Sequence, residues 1–290
     1  MIIKETTVLP GNKLEIQYGF IGKPIGWTEP GPGNPSLDPA HGTKIKKLLP
    51  ITEPGVVLVP GSDHTGIIAF IERQFPVNEL VDHRLRYWSG DSVVLKNAFS
   101  EGVINFLTVR VRDCVPIIGG TSDGTLFTAH LSNQTLFGYG DQTKFRGSIL
   151  KDLFHLVDSS KCWLSIGPSA GGGGCKCYEY TETKGQLDAS RLKNRINSEY
   201  PDFDVDPFIT NGSNESKKAF LWGKLIHAIL LYHEVDAKNI NTSHNICTIC
   251  NLDDWYSDRV MRDYPKDPAT QIGASNFGYI APYFKNQRAP

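Results

Sequence analysis

The sequence predicts a mixed α/β chain folded as one unit, and three observations predict it. Short β-branched runs end at Pro and Gly turns, and other stretches repeat apolar residues at three- and four-residue spacing. Across the 290 residues there is no internal repeat, and no low-complexity tract beyond one run of four glycines. A chain of this length can bury a substantial core, so a single domain over 1-290 is expected.

Taken in order, the first 50 residues are rich in Pro and Gly. The segment Trp27-Thr28-Glu29-Pro30-Gly31-Pro32-Gly33-Asn34-Pro35 cannot be helical, and 1-50 reads as loop with a lid as its role. Val56 to Val59 is a strand stopped by Pro60-Gly61, which puts Ser62-Asp63-His64-Thr65-Gly66 at a strand end. Asp91 to Leu95 and Phe106 to Val111 are further strands. The second runs through Arg112-Asp113-Cys114-Val115-Pro116-Ile117-Ile118 until Gly119-Gly120 should break it. Thr121-Ser122-Asp123-Gly124 is a turn, and Thr125 to His130 returns as a hairpin partner that carries His130 back toward Cys114. The apolar residues Phe145, Ile149, Leu150, Leu153, Phe154 and Val157 mark an amphipathic helix over 144–157. Trp163 to Ile166 is a strand leading into Gly171 to Gly174. That run either lets backbone approach a ligand or simply connects, and it lacks the Lys-Ser/Thr ending of a P-loop. Leu187 to Ile196 reads as a short helix, and Glu215 to Val235 as a long one capped by Asn214. Asn245 to Ile249 reads as a late strand.

Charge is balanced, at 30 Lys and Arg against 31 Asp and Glu, with a pI near 6.7. No basic field exists to hold nucleic acid or an anionic membrane, so a small-molecule substrate is the expected partner. The N-terminus lacks the pattern of a signal peptide and no apolar run approaches bilayer length, which makes a cytoplasmic protein the expectation. The composition is compatible with a monomer or a small homo-oligomer.

The six cysteines, at 114, 162, 175, 177, 247 and 250, are too scattered for a disulfide framework and read as buried thiols, reactive thiols or ligands. Cys175/Cys177 and the CxxC pair Cys247/Cys250 can in principle make a structural zinc site. No linking histidine spacing supports that, and the late pair is expected to be structural thiols. The constellation that carries chemistry is His64, Cys114 and His130, each at a strand end or beside a sharp turn. Two imidazoles and a thiolate suit zinc, and three protein ligands leave the open fourth position of a catalytic site. Taken singly, a strand Cys is usually a small buried apolar residue and a His after a strand a satisfied structural side chain.

From about Val56 to Ile280 the chain resembles the laccase-domain family, YfiH-like and also called multicopper polyphenol oxidase or purine nucleoside phosphorylase. The resemblance lies in the order of several segments. They are Val111-Arg112-Asp113-Cys114-Val115-Pro116-Ile117, Thr128-Ala129-His130, Ile166-Gly167-Pro168-Ser169 with Cys177-Tyr178-Glu179, and Cys247-Thr248 with Tyr256-Ser257-Asp258-Arg259. It implies a layered α/β/β/α sandwich with mixed sheets, the YfiH-like cysteine-hydrolase fold. It further implies a zinc-compatible centre of His64, Cys114 and His130, and cleavage or deamination of purine nucleosides.

The chain departs from the family around this centre. Leu131-Ser132-Asn133-Gln134-Thr135 stands where the family has Ala-Gly-Trp-Arg-Gly, so Gln134 replaces a cation. Arg112 replaces an Ala, Ser62 a Gln, and the paired late arginines are split into Arg259 and Arg262. In the first reading, zinc supplies water for deamination of an adenine ring, with Asp113 or Asp63 as the acid for the leaving amine. Phosphorolysis would instead need phosphate held by Arg112, Arg259, Arg262 or N–H groups of the glycine run. Cys114 and His130 can alternatively form a metal-free hydrolase acting on an amide or a cell-wall precursor. A ligand-binding protein without turnover is the third reading. Copper is disfavoured, since a multicopper oxidase needs more histidines than the eight present.

Overall fold

The computed structural model describes residues 2–22, 55–60, 64–72, 85–88, 90–99, 104–111, 113–138, 145, 147–181, 189–213, 217–255, 257 and 276–284. The strands fall into two six-stranded mixed sheets and one small sheet. The first sheet is built from β1 (Ile2–Val8), β2 (Glu15–Ile21), β3 (Gly55–Pro60), β5 (Leu85–Trp88), β7 (Ile104–Val111) and β15 (Asn276–Tyr283). Its order is β1-β2-β15-β7-β3-β5, with β3 parallel to both of its neighbours and the other pairs antiparallel. The second is built from β4 (Ile68–Ile71), β6 (Ser92–Leu95), β8 (Val115–Thr121), β9 (Leu126–Leu131), β10 (Cys162–Ile166) and β14 (Ile240–Asn241). Its order is β14-β10-β8-β9-β6-β4. The small antiparallel sheet holds β11 (Glu179–Thr181), β13 (Lys217–Phe220) and β12 (Ile209–Asn211).

The second sheet is buried on both faces, and its period-two alternation divides the core. Val93, Leu95, Ile118, Leu126 and Trp163 face the first sheet and pack with Tyr18, Phe20, Leu107, Val109 and Ile280. Their chain neighbours Val94, Ile117, Phe127 and Leu164 face the other way, against helices. Those helices are α1 (Asn133–Phe137), α2 (Ile149–Leu156), α3 (Ala189–Glu199) and α4 (Trp222–Tyr232). Mixed sheets stacked face to face under a helical layer agree with the expected fold class, and the described residues supply three of its four layers. None of the described helices is long and apolar enough to cross a membrane.

Several expected elements differ. Residues 2–21, read as part of a Pro/Gly-rich loop, contain β1 and β2; the buried alternation of Ile16, Tyr18 and Phe20 in β2 and its pairing with β1 outweigh the turn residues between them. Residues 23–50, with Trp27 to Pro35, lie outside the described residues. Gly119-Gly120 does not end β8. A Cβ on Gly119 would stand 2.4 Å from Phe127 Cζ and 2.7 Å from the Trp163 carbonyl oxygen, so the glycines make room for neighbouring strands. The helix expected from 144 starts at Ile149, because Gly147 has φ 125°. The long helix expected from Glu215 to Val235 divides into β13 and α4. Lys217 to Phe220 pairs on both edges, with β11 and β12, and Leu221 breaks the backbone with ψ 69°. Its expected cap, Asn214, lies outside the described residues, whereas Leu225, Ile226, Ile229 and Leu230 are buried as their spacing requires. Asn245 to Ile249 forms turns with one bridge, Ser169 to Cys247, in place of a strand.

Candidate functional site

Three times the chain leaves the first sheet and enters the second, and each crossing carries a polar residue. His64 lies between β3 and β4, Asp91 between β5 and β6, and Cys114 between β7 and β8. Strands β7, β3 and β5 are neighbours in the first sheet, so the crossings arrive together. His130, on β9, stands between β8 and β6 opposite Pro116. The ligand atoms of His64, Cys114 and His130 all lie within 4.8 Å of one another.

Asp91 organises this group. Its fully buried carboxylate accepts from His130 Nδ1 at 2.8 Å, from the His64 backbone N–H at 3.0 Å and from the Gly66 N–H at 2.8 Å. Its own carbonyl accepts the His130 N–H at 2.7 Å. The bond to Nδ1 leaves His130 Nε2 for the hydrogen bond with Cys114, the arrangement of carboxylate–histidine–metal groups. The His64 ring stacks on His130 at 4.9 Å and 23°, and its Nε2 lies 3.8 Å from Cys114 Sγ. His64 has φ 60°, a left-handed backbone that a non-glycine residue keeps only where its surroundings hold it. Here the hold is the Asp91 carboxylate on the His64 and Gly66 amides.

The electrostatics follow from these contacts. Burial opposes ionisation of Asp91, but His130 and the amides of Gly66 and His64 keep its carboxyl below the ordinary carboxylate range. Burial also opposes a Cys114 thiolate. The His130 charge and hydrogen bonds with both histidines outweigh it and bring the thiol from 9.0 down to about 7. His130 is likewise pulled up against burial, from 6.5 to about 10, by Cys114 and Asp91.

Of the remaining candidates, Asp113 is buried. Its Oδ1 accepts from Ser257 Oγ at 2.6 Å and its carbonyl accepts the Ala170 N–H at 3.0 Å, so it braces the turn that presents Cys114. Gln134 is half-buried on α1, whose Ser132 cap closes a capping box with Thr135. Arg112, Arg259, Arg262 and Asp63 lie outside the described residues. Sequence reasoning placed Asp91 at a strand start and gave it no role. The signal was a carboxylate opening the wholly buried strand Ser92–Leu95, a position that is stable only with partners.

No protein-family model matches the chain and no curated protein matches it significantly. Solved structures do. A hypothetical protein YfiH from Bacillus licheniformis superposes with a TM-score of 0.63 at 16% identity, over 91% of this chain and 92% of that one. YlmD from Geobacillus stearothermophilus gives 0.64 at 16% identity, over 93% and 92%. A DUF152 protein from Neisseria meningitidis gives 0.61 at 14% identity, over 96% and 98%. These likenesses run the length of the chains and agree with the resemblance carried by the sequence motifs; the chain has the fold of the YfiH, YlmD and DUF152 proteins.

Proposed function

We propose that the chain is a purine nucleoside-processing enzyme whose centre holds zinc on His64, Cys114 and His130. The observation that carries this reading is the Asp91–His130 contact at 2.8 Å, which presents Nε2 beside a second imidazole and a thiol of lowered pKa. Two nitrogens and one sulfur within 4.8 Å of one another suit tetrahedral zinc with one position left over. When bound there, zinc supplies Lewis acidity and a water with a pKa of about 7.

The chain's own groups do the rest. Asp91 fixes the His130 ring and tautomer, and Cys114 gives up its proton readily. The acid for the leaving amine of an adenine ring is Asp113 or Asp63, the carboxylates next to Cys114 and His64 in sequence, and Asp113 also holds Ser257 Oγ at 2.6 Å. Gln134, neutral where a cation is expected, favours water over phosphate, so that deamination to the 6-oxo purine and ammonia exceeds phosphorolysis. The test is incubation with adenosine, inosine and methylthioadenosine, with and without phosphate, and chromatography of the products. Zinc-loaded protein that turns over none of them overturns the proposal, and thermal stabilisation without product would identify a binding protein.

One observation favours a second reading. Cys114 Sγ lies 3.8 Å from His64 Nε2 and hydrogen-bonds with His130, contacts that lower the thiol and raise the imidazole, so the metal-free group has the Cys–His pair of a cysteine hydrolase acting on an amide. Turnover that survives zinc removal and stops on Cys114 alkylation would select it.

A further inference from the structure

A second cluster stands apart from this centre. Cys175, Cys177, Cys247 and Cys250 come from two loops 70 or more positions apart, yet their sulfurs all lie within 4.8 Å of one another. Cys175 Sγ is 3.0 Å from that of Cys177 and 3.3 Å from that of Cys250, and Cys177 Sγ is 3.2 Å from that of Cys250. All four are free thiols, and these separations exceed the S–S bond length of about 2.05 Å. Sulfurs tetrahedrally placed about 2.3 Å from zinc are about 3.8 Å apart; the three contacts given are closer than that, at 3.0–3.3 Å, and all four sulfurs fall inside 4.8 Å.

The backbone is shaped to make the meeting. Gly171, Gly173 and Gly174 have φ of 75°, 64° and 81°, turning the chain through conformations other residues avoid. A Cβ on Gly172 would stand 2.5 Å from the Ile246 carbonyl oxygen, so the loops approach as closely as glycine allows. They are stitched by Ser169 N–H to the Ile246 carbonyl and Thr248 N–H to the Ser169 carbonyl, both 3.0 Å, and by Gly173 N–H to Asn245 Oδ1 at 3.1 Å. Amides also face the sulfurs. Cys177 N–H donates to Cys175 Sγ at 3.4 Å, and the Gly171 and Cys250 amides donate to Cys247. Such donors stabilise thiolates and orient ligands.

We infer that Cys175, Cys177, Cys247 and Cys250 form a structural zinc site that clips the glycine loop to the 245–251 turn. Four thiols give up their protons to the solvent as the ion binds, and four sulfur ligands fill the tetrahedron, so the site is closed and performs no catalysis. The clip has a place in the fold: one end of the glycine loop holds the Asp113 carbonyl through Ala170, beside Cys114. At its other end Tyr178 stacks on Trp222 at 5.5 Å and 10°. The glycine run thus needs neither a phosphate nor looseness to account for it.

The test uses the full chain with the other centre disabled, as His64→Ala/Cys114→Ala, purified under reducing conditions. Elemental analysis is expected to find one zinc per chain, and X-ray absorption a shell of four sulfurs at about 2.3 Å. Cys175→Ser/Cys247→Ser should lose that equivalent and unfold about 5 °C or more lower, whereas Cys162→Ser keeps it. If the serine variant does not fold, the absorption spectrum of the first variant still decides. A folded His64→Ala/Cys114→Ala protein that neither holds nor takes up zinc overturns the inference, as does iron in its place or a shell containing nitrogen or oxygen. A parent protein whose only zinc is all-sulfur would sink the zinc reading at His64, Cys114 and His130 and leave this one standing.

Discussion

Asp91→Asn separates a positioning carboxylate from a bystander, and its effect can be worked from the contacts. The carboxylate accepts from His130 Nδ1 and from the amides of His64 and Gly66, between 2.8 and 3.0 Å, with Thr65 Oγ1 at 3.5 Å. An amide of the same shape has one oxygen. If that oxygen faces His130, the NH2 meets the Gly66 amide donor to donor. If it faces Gly66, the NH2 forces the other His130 tautomer and places a proton on Nε2. Either way about two charge-assisted bonds are lost or weakened, at about 1.5–3 kcal/mol each before relaxation. A net loss of about 2–4 kcal/mol would lower Tm by roughly 3–7 °C in a chain of 290 residues. Zinc affinity at the His/Cys/His centre should fall about 10–100-fold.

The assay is thermal unfolding of both proteins across pH, with chelator competition for the zinc that has nitrogen ligands. Asp91 is held below its ordinary value in the fold, so its contribution is present above the unfolded carboxylate pKa and is lost as pH falls through the folded one. The Tm gap should therefore be flat from about pH 5 to about pH 8 and close below about pH 4. A variant matching the parent in Tm and in zinc affinity, or a gap that widens in acid, would refute the role given to Asp91.

In the metal-free protein, alkylation of Cys114 by iodoacetamide should rise with pH to a plateau with a midpoint near 7, and His130→Ala should move the midpoint upward; a midpoint near 9.0 in the parent contradicts the geometry. Gln134→Arg should tighten phosphate binding by about one to two powers of ten and raise phosphorolysis relative to deamination. Efficient phosphorolysis in the parent at low phosphate, unaffected by Arg112→Ala, would count against this. Gly119→Ala should cost about 1–3 kcal/mol, read as a lower denaturation midpoint, because its Cβ would meet the fixed Trp163 carbonyl oxygen at 2.7 Å.

What could be read from the sequence was whatever short-range pattern encodes. The hairpin of β8 and β9 was legible because Ser122-Asp123-Gly124 is a turn in its own right, with Gly124 at φ 84°, and it brings Cys114 toward His130. The strand that ends at Phe220 is hidden because the helical spacing of Leu225, Ile226, Ile229 and Leu230 is real and extends, on pattern alone, too far upstream. What Lys217 to Phe220 becomes is decided by the edges offered by β11 and β12, which no local pattern contains. The cysteine cluster is hidden from the sequence for a similar reason. Its pairs lie 73 and 75 positions apart in the closest contacts from Cys250, and only the folded loops show that the two pairs face each other.

The same logic explains why His64, fifty positions from Cys114, belongs with it at all. Spacing along the chain is irrelevant to a site built from successive crossings between two stacked sheets. Each crossing starts from one of the adjacent strands β7, β3 and β5 and enters β8, β4 and β6, so the crossing residues Cys114, His64 and Asp91 are gathered by strand order alone. His130 joins them because β9 fills the place between β8 and β6. A site gathered this way draws its rigidity from two sheets whose facing side chains are almost wholly buried. Gln134, by contrast, is half-buried on the short capped helix that follows β9, although its neighbour Thr135 donates to the His130 carbonyl at 3.3 Å. On the proposed reading, substrate preference should therefore respond to Gln134, whereas metal affinity should respond to Asp91.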